Sequence, residues 1–497
     1  MTELSTHLTT ISAANAPSAF DAHHPPSREI ISDCVHCGFC LPTCPTWVLW
    51  REEMDSPRGR INLMKLATDG EIALTPQVRS HFDACLGCMA CVTACPSGVQ
   101  YDKLIEATRP QLERNAPRPL SDRLYRSLIF ALFPHPRRMR LLLPLLWLYQ
   151  KSGARRLVRS RLGQRLIPPR LLAMEAVLPP VRLRRSKALS FALTTDTLDA
   201  TKRTRVGVLL GCVQRVFFDD VNAATVRVLA AEGYEVVPVA QQGCCGALSV
   251  HAGRENEGLR YARRLIDAFE AAQVDTIAVN VAGCGSTLKE YGHLLRDDTA
   301  YAERATAFSA KVRDISELLA SQPPRAPRHP IAARVAYHDA CHLRHGQGIT
   351  RQPRTLLGQI PQLEVAEPAE ADICCGSAGI YNLIAPEPAA DLGRRKAANI
   401  LATRPDALVA ANPGCLLQIA ASLAQEGHPL PTYHPIQLLD ASIRGVPLDR
   451  AAIHGTIDPQ TGRPNVMSAE LRGIGSGGKE PPTDEEIERW RMEKYEE

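Results

Sequence analysis

Two runs of cysteines near the start of the chain have the residue types and the spacing of iron–sulfur ligands. In each run three cysteines are separated by two residues, a fourth follows after three more, and a proline comes directly after it. The first run is Cys34, Cys37, Cys40 and Cys44, and the second is Cys85, Cys88, Cys91 and Cys95. Ferredoxins that hold a pair of four-iron clusters have this C-x2-C-x2-C-x3-C-P spacing. The runs therefore predict two [4Fe–4S] clusters.

The spacing also predicts which cysteines share a cluster. Three closely spaced thiolates wrap around one cubane, whereas the fourth cysteine is carried away by the Cys-Pro step and reaches the other cluster. We expect one cluster on Cys34, Cys37, Cys40 and Cys95, and the other on Cys85, Cys88, Cys91 and Cys44. Such neighbouring clusters form a relay for single electrons. Structural zinc is the alternative, but a zinc site requires neither four cysteines in each run nor Pro45 and Pro96.

Eight further cysteines belong to a segment that occurs twice, with a period of about 130 residues. The first copy supplies Cys212, Cys244, Cys245 and Cys284, and the second supplies Cys341, Cys374, Cys375 and Cys415. Adjacent cysteines cannot both cap one cubane comfortably, so these thiols predict a further site with an unusual cluster or a different metal. Small buried cysteines that pack at strand ends are the alternative.

The elements around these cysteines alternate between short apolar strands and helices. In the first copy we expect strands at 206–210, 235–239 and 276–281, and in the second at 335–337 and 407–411. This alternation is typical of parallel α/β units. Sites in such sheets form in the loops that follow the strands, and each cysteine falls just beyond an apolar strand. The placement therefore favours a functional role.

The sequence predicts a multidomain chain of α+β and α/β character. A mainly helical dicluster ferredoxin-like domain is followed by two α/β cysteine-rich repeats. The predicted segments are a disordered lead (1–29), the dicluster domain (30–116), a basic helical connector (117–203), the two repeats (204–320 and 331–445) and a flexible tail (446–497). A length of 497 residues exceeds that of one ordinary domain and agrees with this division.

Composition limits the classes of function. Hydrophobic residues make up 45% and charged residues 22%, and no apolar run is long enough to cross a bilayer. The absence of a secretory signal predicts a cytoplasmic protein, where sixteen cysteines serve metal binding better than disulfides. A net charge of +5 without an aromatic-plus-basic motif argues against nucleic acid. The Arg- and Leu-rich connector suggests peripheral contact with an anionic membrane surface, with a solvated connector as the alternative.

A flavin or nicotinamide site is not evident in the chain. The one G-x-G-x-x-G match, at 473–478, lies in the tail without a strand before it. Because iron–sulfur clusters move single electrons, a two-electron substrate requires a flavin, which we expect on a partner.

These motifs together resemble the iron–sulfur subunit of bacterial glycolate oxidase, also called glycolate dehydrogenase. The resemblance covers about residues 33–439 and includes the phrases at 54–60, 243–247, 282–285 and 374–379. It implies that flavin-domain partner subunits oxidise glycolate to glyoxylate, and that this subunit carries electrons to quinone or another acceptor. It also implies FAD on the partners alone, and an oxidoreductase subunit that does not turn over by itself.

Related Cys-Cys-Gly domains leave an alternative function open. They occur in heterodisulfide reductase and in anaerobic glycerol-3-phosphate dehydrogenase, where this chain would act as an electron-transfer or catalytic subunit. Heterodisulfide reductases often have a further cysteine three positions after the last one of the module. Thr287 and Gln418 occupy those positions here, which argues against a five-cysteine site.

Overall fold

The computed structural model of the chain describes residues 17–181, 183 and 203–448. Most of the predicted lead, the end of the predicted connector, and nearly all of the predicted tail with its glycine motif lie outside the described residues. The described residues form two compact units. The first comprises the described residues up to Gly87 together with Cys91–Leu120, and the second comprises Cys88–Ala90 and the described residues from Ser121 onward.

The ferredoxin-type segment is helical throughout. Its helices are α1 (Arg28–Ser32), α2 (Pro45–Trp50), a short 3-10 helix (Glu53–Asp55), α3 (Pro57–Thr68), α4 (Pro76–Ala84), α5 (Ala90–Thr93) and α6 (Tyr101–Asn115). The sequence sets several of the helix starts: Ser56 and Thr75 cap α3 and α4 through their hydroxyls, and prolines occupy the first helical positions. Phe82, Met64 and Leu104 lie in the core of this unit.

Five helices follow this segment and lead to the cysteine-rich repeats. They are α7 (Leu120–Leu132), α8 (Pro136–Lys151), α9 (Ala154–Arg159), α10 (Arg161–Leu166) and α11 (Pro169–Ala176). Only two acidic residues, Asp122 and Glu175, occur between positions 117 and 183. Both are paired with arginines, as in the contacts of Asp122 with Arg126 and of Glu175 with Arg155.

Each cysteine-rich repeat contains a four-stranded parallel sheet. The first is built from β1 (Arg205–Val208), β2 (Glu235–Val237), β3 (Thr276–Val279) and β4 (Val312–Asp314), in the order β2-β1-β3-β4. The second is built from β5 (Ala333–His338), β6 (Leu363–Ala366), β7 (Ala407–Ala410) and β8 (Thr432–Tyr433), in the order β6-β5-β7-β8. The identical order confirms the predicted α/β duplication.

The strands differ from the expected ones in number and in length. The apolar pattern did not predict β4, β6 and β8, which are all edge strands of the two sheets. Strands β1, β2, β3 and β7 end one or two residues before their predicted ends, whereas β5 is longer than predicted. The sequences of these strands, Val-Arg-Asp in β4, Leu-Glu-Val-Ala in β6 and Thr-Tyr in β8, are short and include polar residues, so none forms a continuous apolar run.

Helices connect these strands. In the first repeat they are α12 (Gln214–Phe217), α13 (Asp219–Ala231), α14 (Ala247–His251), α15 (Glu255–Ala271), α16 (Ala282–Lys289), α17 (Tyr291–Leu294), α18 (Ala302–Lys311) and α19 (Ile315–Ala320). In the second they are α20 (Cys341–Arg344), α21 (Arg351–Gly358), α22 (Tyr381–Ile384), α23 (Pro386–Leu401), α24 (Pro413–Gln425) and α25 (Pro435–Arg444).

The two repeats pack against each other through a common core. Val206 and Val335, which lie on the central strands of the two sheets, belong to one buried apolar cluster. Helices α13 and α25 meet at this interface, where Arg227 binds Asp440 with two hydrogen bonds of 2.8 and 2.6 Å. The Ala282 N–H also donates to the Ala411 carbonyl at 3.2 Å. The duplicated modules therefore form one body.

Candidate iron–sulfur sites

The two cysteine runs share one backbone conformation. His36 and Gly38 in the first run, and Gly87 and Met89 in the second, all have φ between +54° and +88°. These are the second and fourth positions after the first cysteine of each run. Glycine adopts this conformation freely, whereas His36 and Met89 adopt it at some cost. The glycines are recognisable in the sequence, and the structure adds the other two positions.

The first predicted ligand set lines one cavity. Cys34, Cys37, Cys40 and Cys95 all lie on the wall of this cavity, which is open to solvent. Its other lining residues include Cys91, Arg58 and Tyr101. Cys95 comes from the second run, so the fold brings together the three thiols of one run and the last thiol of the other. A soft four-thiol donor set in such a cavity fits a four-iron cluster.

The cavity environment bears on the protonation of these thiols. Burial raises the pKa of Cys40 to about 11 and also raises the pKa of Cys34, to which the neighbouring Cys95 and Cys37 contribute. The guanidinium of Arg58 acts in the opposite direction on Cys34 and donates to the His36 carbonyl at 3.1 Å. Without a metal, Cys34 and Cys40 stay protonated at neutral pH, so cluster binding must release their protons.

Two cysteines of the second predicted ligand set, Cys44 and Cys85, lie near Arg60, whose side chain is 1% exposed. Arg60 donates to Asp55 Oδ1 and to Thr46 Oγ1, each at 3.2 Å, and Thr46 Oγ1 lies 3.2 Å from Cys44 Sγ. Desolvation alone would lower the pKa of Arg60, but Cys85, Tyr101, Cys44 and Asp55 raise it. Cys44 and Cys85, which come from different runs, are thus both close to one buried cation.

Two nearby guanidinium groups lower the pKa of Cys85. Its burial would raise its pKa, but the guanidinium groups of Arg60 and Arg109 lower that pKa below its ordinary value. The Gly87 N–H and the Tyr101 hydroxyl also donate to its sulfur, at 3.4 and 3.7 Å. Cys44, Cys88 and Cys91 are buried as well. The cysteine spacing gives no signal for Arg60, which is one of many arginines in the chain.

In the first repeat, the fold brings the four predicted cysteines together at the carboxyl edge of the sheet. Cys212 follows β1, the Cys244–Cys245 pair precedes α14, and Cys284 lies in the first turn of α16. Cys245 Sγ lies 3.1 Å from Cys284 Sγ. Hydrogen bonding with Cys244 and Cys284 holds the pKa of Cys245 well below its usual range. Hydrogen bonding within the group raises the pKa values of Cys244 and Cys284.

The second repeat gathers its four cysteines in the same way. Cys341 begins α20, Cys374 and Cys375 precede α22, and Cys415 lies in the first turn of α24. Hydrogen bonds link Cys341 to Cys374, Cys374 to Cys375, and Cys375 to Cys415. All four are buried. A continuous group of four thiols is a donor set for a soft metal and is more than strand-end packing requires.

A histidine at this second group was missed by the cysteine pattern. His338, the last residue of β5, places a ring nitrogen within 4.8 Å of the sulfurs of Cys375 and Cys415. Its side chain is buried. The signal in the sequence is a histidine three positions before Cys341, where the first repeat has Leu209 before Cys212.

Three family models match segments of the chain. Residues 30–99 match the family described as a 4Fe-4S dicluster domain, and residues 206–289 and 335–420 match a cysteine-rich domain. Residues 121–178 match the linker region of the glycolate oxidase iron-sulfur subunit. The fold and its cysteine sites define an iron–sulfur electron-transfer protein, in which a two-cluster ferredoxin segment precedes a duplicated cysteine-rich module.

Comparison with individual proteins identifies one family within this class. The chain is 41% identical to a probable glycolate oxidase iron-sulfur subunit of Bacillus subtilis, over 80% of this chain and 89% of the relative. It is 34% identical to the glycolate oxidase iron-sulfur subunit of Escherichia coli, over 79% and 91%. It is 36% identical to one subunit of the fumarate reductase (CoM/CoB) of Methanothermobacter marburgensis, over 45% and 43%. The chain belongs to the family of glycolate oxidase iron–sulfur subunits.

Proposed function

We propose that this chain receives electrons from flavin-containing partner subunits that oxidise glycolate to glyoxylate, and passes them toward quinone. The observation that carries the proposal is the cavity that gathers Cys34, Cys37 and Cys40 with Cys95. Membership of the glycolate oxidase family supports the choice of donor. When bound, each cluster supplies a one-electron step, so a flavin on a partner must divide the two electrons of the substrate.

In this proposal the chain's own residues hold and tune the carriers. Cys34, Cys37, Cys40 and Cys95 hold one cluster, and Cys44, Cys85, Cys88 and Cys91 hold the other. Arg58 and Arg60 place positive charge beside the two sets. Positive charge stabilises the more negative, reduced state, so both arginines favour acceptance of an electron.

Turnover by the separated chain and by the complex tests the proposal. Alone, the anaerobically purified chain should not reduce an artificial dye with glycolate. Together with flavin-domain partners it should complete the reduction of a quinone by glycolate. Lactate and glycerol 3-phosphate are tested as alternative substrates in the same assay. Oxidation of glycolate by the chain without an added flavoprotein would refute the proposal.

Two matched substitutions test the crossed ligand sets. Cys44→Ser should perturb the cluster otherwise held by Cys85, Cys88 and Cys91, and Cys95→Ser should perturb the other one. Electron paramagnetic resonance of the reduced variants separates the two signals. If Cys44→Ser alters the cluster of Cys34, Cys37 and Cys40 instead, the assignment is wrong. If analysis of the purified protein finds stoichiometric zinc and no labile sulfide, neither iron–sulfur cluster is present.

The repeats are proposed to lie on the exit path of the electrons. Cys245→Ser or Cys375→Ser, in the complete complex, should slow quinone reduction more than flavin reduction by glycolate. Rapid-mixing absorbance at flavin and quinone wavelengths separates these steps. If quinone reduction is undiminished in both variants, the repeats have a structural role and do not lie on the electron path.

A membrane surface is the proposed location of quinone delivery, and the connector helices support it. Exposed leucines lie four residues apart on α7 (Leu124 and Leu128) and on α8 (Leu141 and Leu145), and Leu141 is 80% exposed. Arginines accompany them, and acidic residues are nearly absent from this segment. A surface with exposed leucines, arginines and few acidic residues favours binding to the headgroup region of anionic lipid. In the described parts of the chain, no helix has both the length and the apolar character needed to cross a bilayer.

Vesicle binding tests this location. The full chain should sediment with vesicles of anionic phospholipid but not with zwitterionic ones, and added salt should weaken the binding. Replacing Leu124, Leu141 and Leu145 together by Ser should abolish sedimentation and leave the clusters intact. Replacing the exposed Arg296 by Gln serves as a control outside this surface. Equal binding to both vesicle types would contradict an electrostatic contribution.

A further inference from the structure

The two repeats share a fold but differ in the side chains that surround their cysteines. The strand registers place Val206 beside Thr276 and Val335 beside Ala407, so Leu209 of the first repeat corresponds to His338 of the second. Cys212 and Cys341 follow both residues at the same spacing. An apolar residue at the end of a central strand is thus replaced by a potential metal ligand.

A second replacement accompanies the first. A Cβ on Gly246 would meet the Gly258 carbonyl, and a Cβ on Gly376 would meet the Ala389 carbonyl, which aligns helix α15 with α23. Seven residues after these contacts stand Leu265 in the first repeat and Lys396 in the second, and both are buried. The Lys396 ammonium donates to the Glu370 carbonyl and lies near Cys375. The second repeat therefore has a histidine and a lysine beside its thiols where the first has two leucines.

His338 is a polar side chain that the surrounding protein does not satisfy. It is 2% exposed, and its Nδ1 is buried without a hydrogen-bond partner among the described residues. Most buried polar groups in proteins have a partner, and an exception requires an explanation. A neutral imidazole has a lone pair on one ring nitrogen that is available for a metal.

The distances suit coordination. A ring nitrogen of His338 and the sulfurs of Cys375 and Cys415 all lie within 4.8 Å of one another. Metal–nitrogen and metal–sulfur bonds of about 2.0–2.3 Å separate the ligands of one ion by roughly 3.5 Å. A small adjustment of the side chains thus brings the three atoms onto one metal. Asn412 Nδ2 donates to Cys415 Sγ at 3.4 Å and orients that sulfur.

We propose that the second repeat binds an iron–sulfur centre of mixed ligation, with His338 as its nitrogen ligand beside Cys341, Cys374, Cys375 and Cys415. The first repeat has Leu209 in place of this ligand and does not form the same centre. A neutral imidazole ligand, unlike a thiolate, adds no negative charge to a cluster, and histidine ligation is associated with a higher reduction potential. Lys396 acts in the same direction. The inference extends the proposed electron path, but its test does not depend on glycolate turnover.

Isotopic labelling of histidine gives a direct test. The full chain is produced with 15N-histidine, purified anaerobically and reduced, and pulsed electron paramagnetic resonance is compared with the 14N protein. A strongly coupled nitrogen that changes with the label is expected in the wild type. It should disappear in His338→Leu, which reproduces the residue of the first repeat. It should persist in His434→Asn, which replaces another buried histidine of the same repeat by a residue able to cap α25.

Iron analysis and a second substitution separate ligation from folding. His338→Leu should lower the iron per chain to that of a Cys375→Ser, Cys415→Ser double variant, while the ferredoxin signals and the circular dichroism stay unchanged. His338→Cys should retain the iron but lose the labelled coupling. Coupling that survives His338→Leu, iron that does not fall in that variant, or stoichiometric zinc in the second repeat would each overturn the proposal. If the labelled nitrogen coupling is present but the complex does not oxidise glycolate, the proposed glycolate function is refuted and the proposed metal site in the second repeat is not.

Discussion

At the scale of single residues, the buried guanidinium of Arg60 is the main charge beside the second ligand set. It is held by Asp55 Oδ1 and by the His81 carbonyl, to which its Nε donates at 2.6 Å. Despite its burial, Cys85 and Cys44 raise its pKa, and Arg60 in turn lowers the pKa of Cys85. A buried cation beside cysteines from two different runs can tune a cluster as well as hold the fold.

We expect Arg60→Met to lower the reduction potential of the cluster assigned to Cys44, Cys85, Cys88 and Cys91. Loss of a unit charge about 7–10 Å away, at an effective dielectric constant of ~20, corresponds to roughly 70–100 mV for one electron. Redox titration followed by electron paramagnetic resonance measures the shift. Arg79→Met is the control, because Arg79 is also buried but donates to the carbonyls of Ala116 and Pro117. An equal shift of the reduction potential in both variants would mean that the shift comes from a general loosening of the fold and not from the charge of Arg60.

At the scale of elements, the turn after each cysteine pair depends on a glycine. Gly376 has φ +88°, and a Cβ there would lie 2.6 Å from the Ala389 carbonyl oxygen at the start of α23. Gly246 makes the corresponding approach to Gly258 at 3.0 Å. The turn therefore fixes the distance between the cysteine pair and the helix behind it, which explains the Cys-Cys-Gly order in physical terms.

Gly376→Ala should lower the free energy of unfolding by more than the roughly 1 kcal/mol expected for placing alanine at a positive φ, because backbone must also move. Gly427→Ala isolates the conformational part, since Gly427 has φ +82° and a Cβ there would meet no other part of the described chain within 4 Å. Urea denaturation under anaerobic conditions compares the two. Equal losses would show that the close approach to Ala389 contributes nothing.

The capping residue of α19 predicts a pH dependence of stability. Burial raises the pKa of the Asp314 carboxyl to about 6, although Ser316 N–H donates to it at 2.8 Å. Because the folded state favours the protonated acid, its stabilising contribution is full below the unfolded pKa of 3.8 and is lost as the pH rises through 6. We expect the free energy of unfolding to fall by up to roughly 3 kcal/mol across this window.

Asp314→Asn tests this dependence, because asparagine is a good helix cap that does not titrate. The variant should show a smaller fall between about pH 4 and pH 6 than the wild type, measured as urea midpoints at several pH values. Identical slopes would mean that Asp314 titrates near its ordinary value in the fold.

At the scale of the whole molecule, the two repeats act as one body because their cores merge and a partly buried ion pair joins α13 to α25. Asp440 is 4% exposed at its side chain and accepts from both Arg227 and Arg444. Ion pairs that are partly buried and bidentate are worth more than those on the surface, because one partner cannot recover its hydration when the other is removed.

Arg227→Met should therefore destabilise the second unit by about 1–3 kcal/mol. Arg304→Met, which breaks exposed pairs with Asp267 and Glu270, should cost less than about 1 kcal/mol. Thermal unfolding followed by circular dichroism distinguishes the two. A loss no larger for Arg227 than for Arg304 would show that merged apolar packing alone joins the repeats.

Features that depend on local spacing could be predicted from the amino-acid sequence. The C-x2-C-x2-C-x3-C-P runs predicted the dicluster segment, and the alternation of strands and helices predicted two parallel α/β repeats with cysteines beyond the strands. These inferences succeed because a tight cysteine loop and the two periodicities of apolar residues are properties of neighbouring residues along the chain. The ligand pairings follow from the same spacing and stay predictions.

The meeting of distant side chains depends instead on the tertiary fold. The fold brings His338 at the end of β5 to Cys375 and Cys415, and it places Arg60 beside Cys44 and Cys85. It also leaves Leu141 exposed on a helix whose composition alone is compatible with burial. Burial, desolvation and charge act across space between segments far apart in the chain, so no local pattern of residue types contains them.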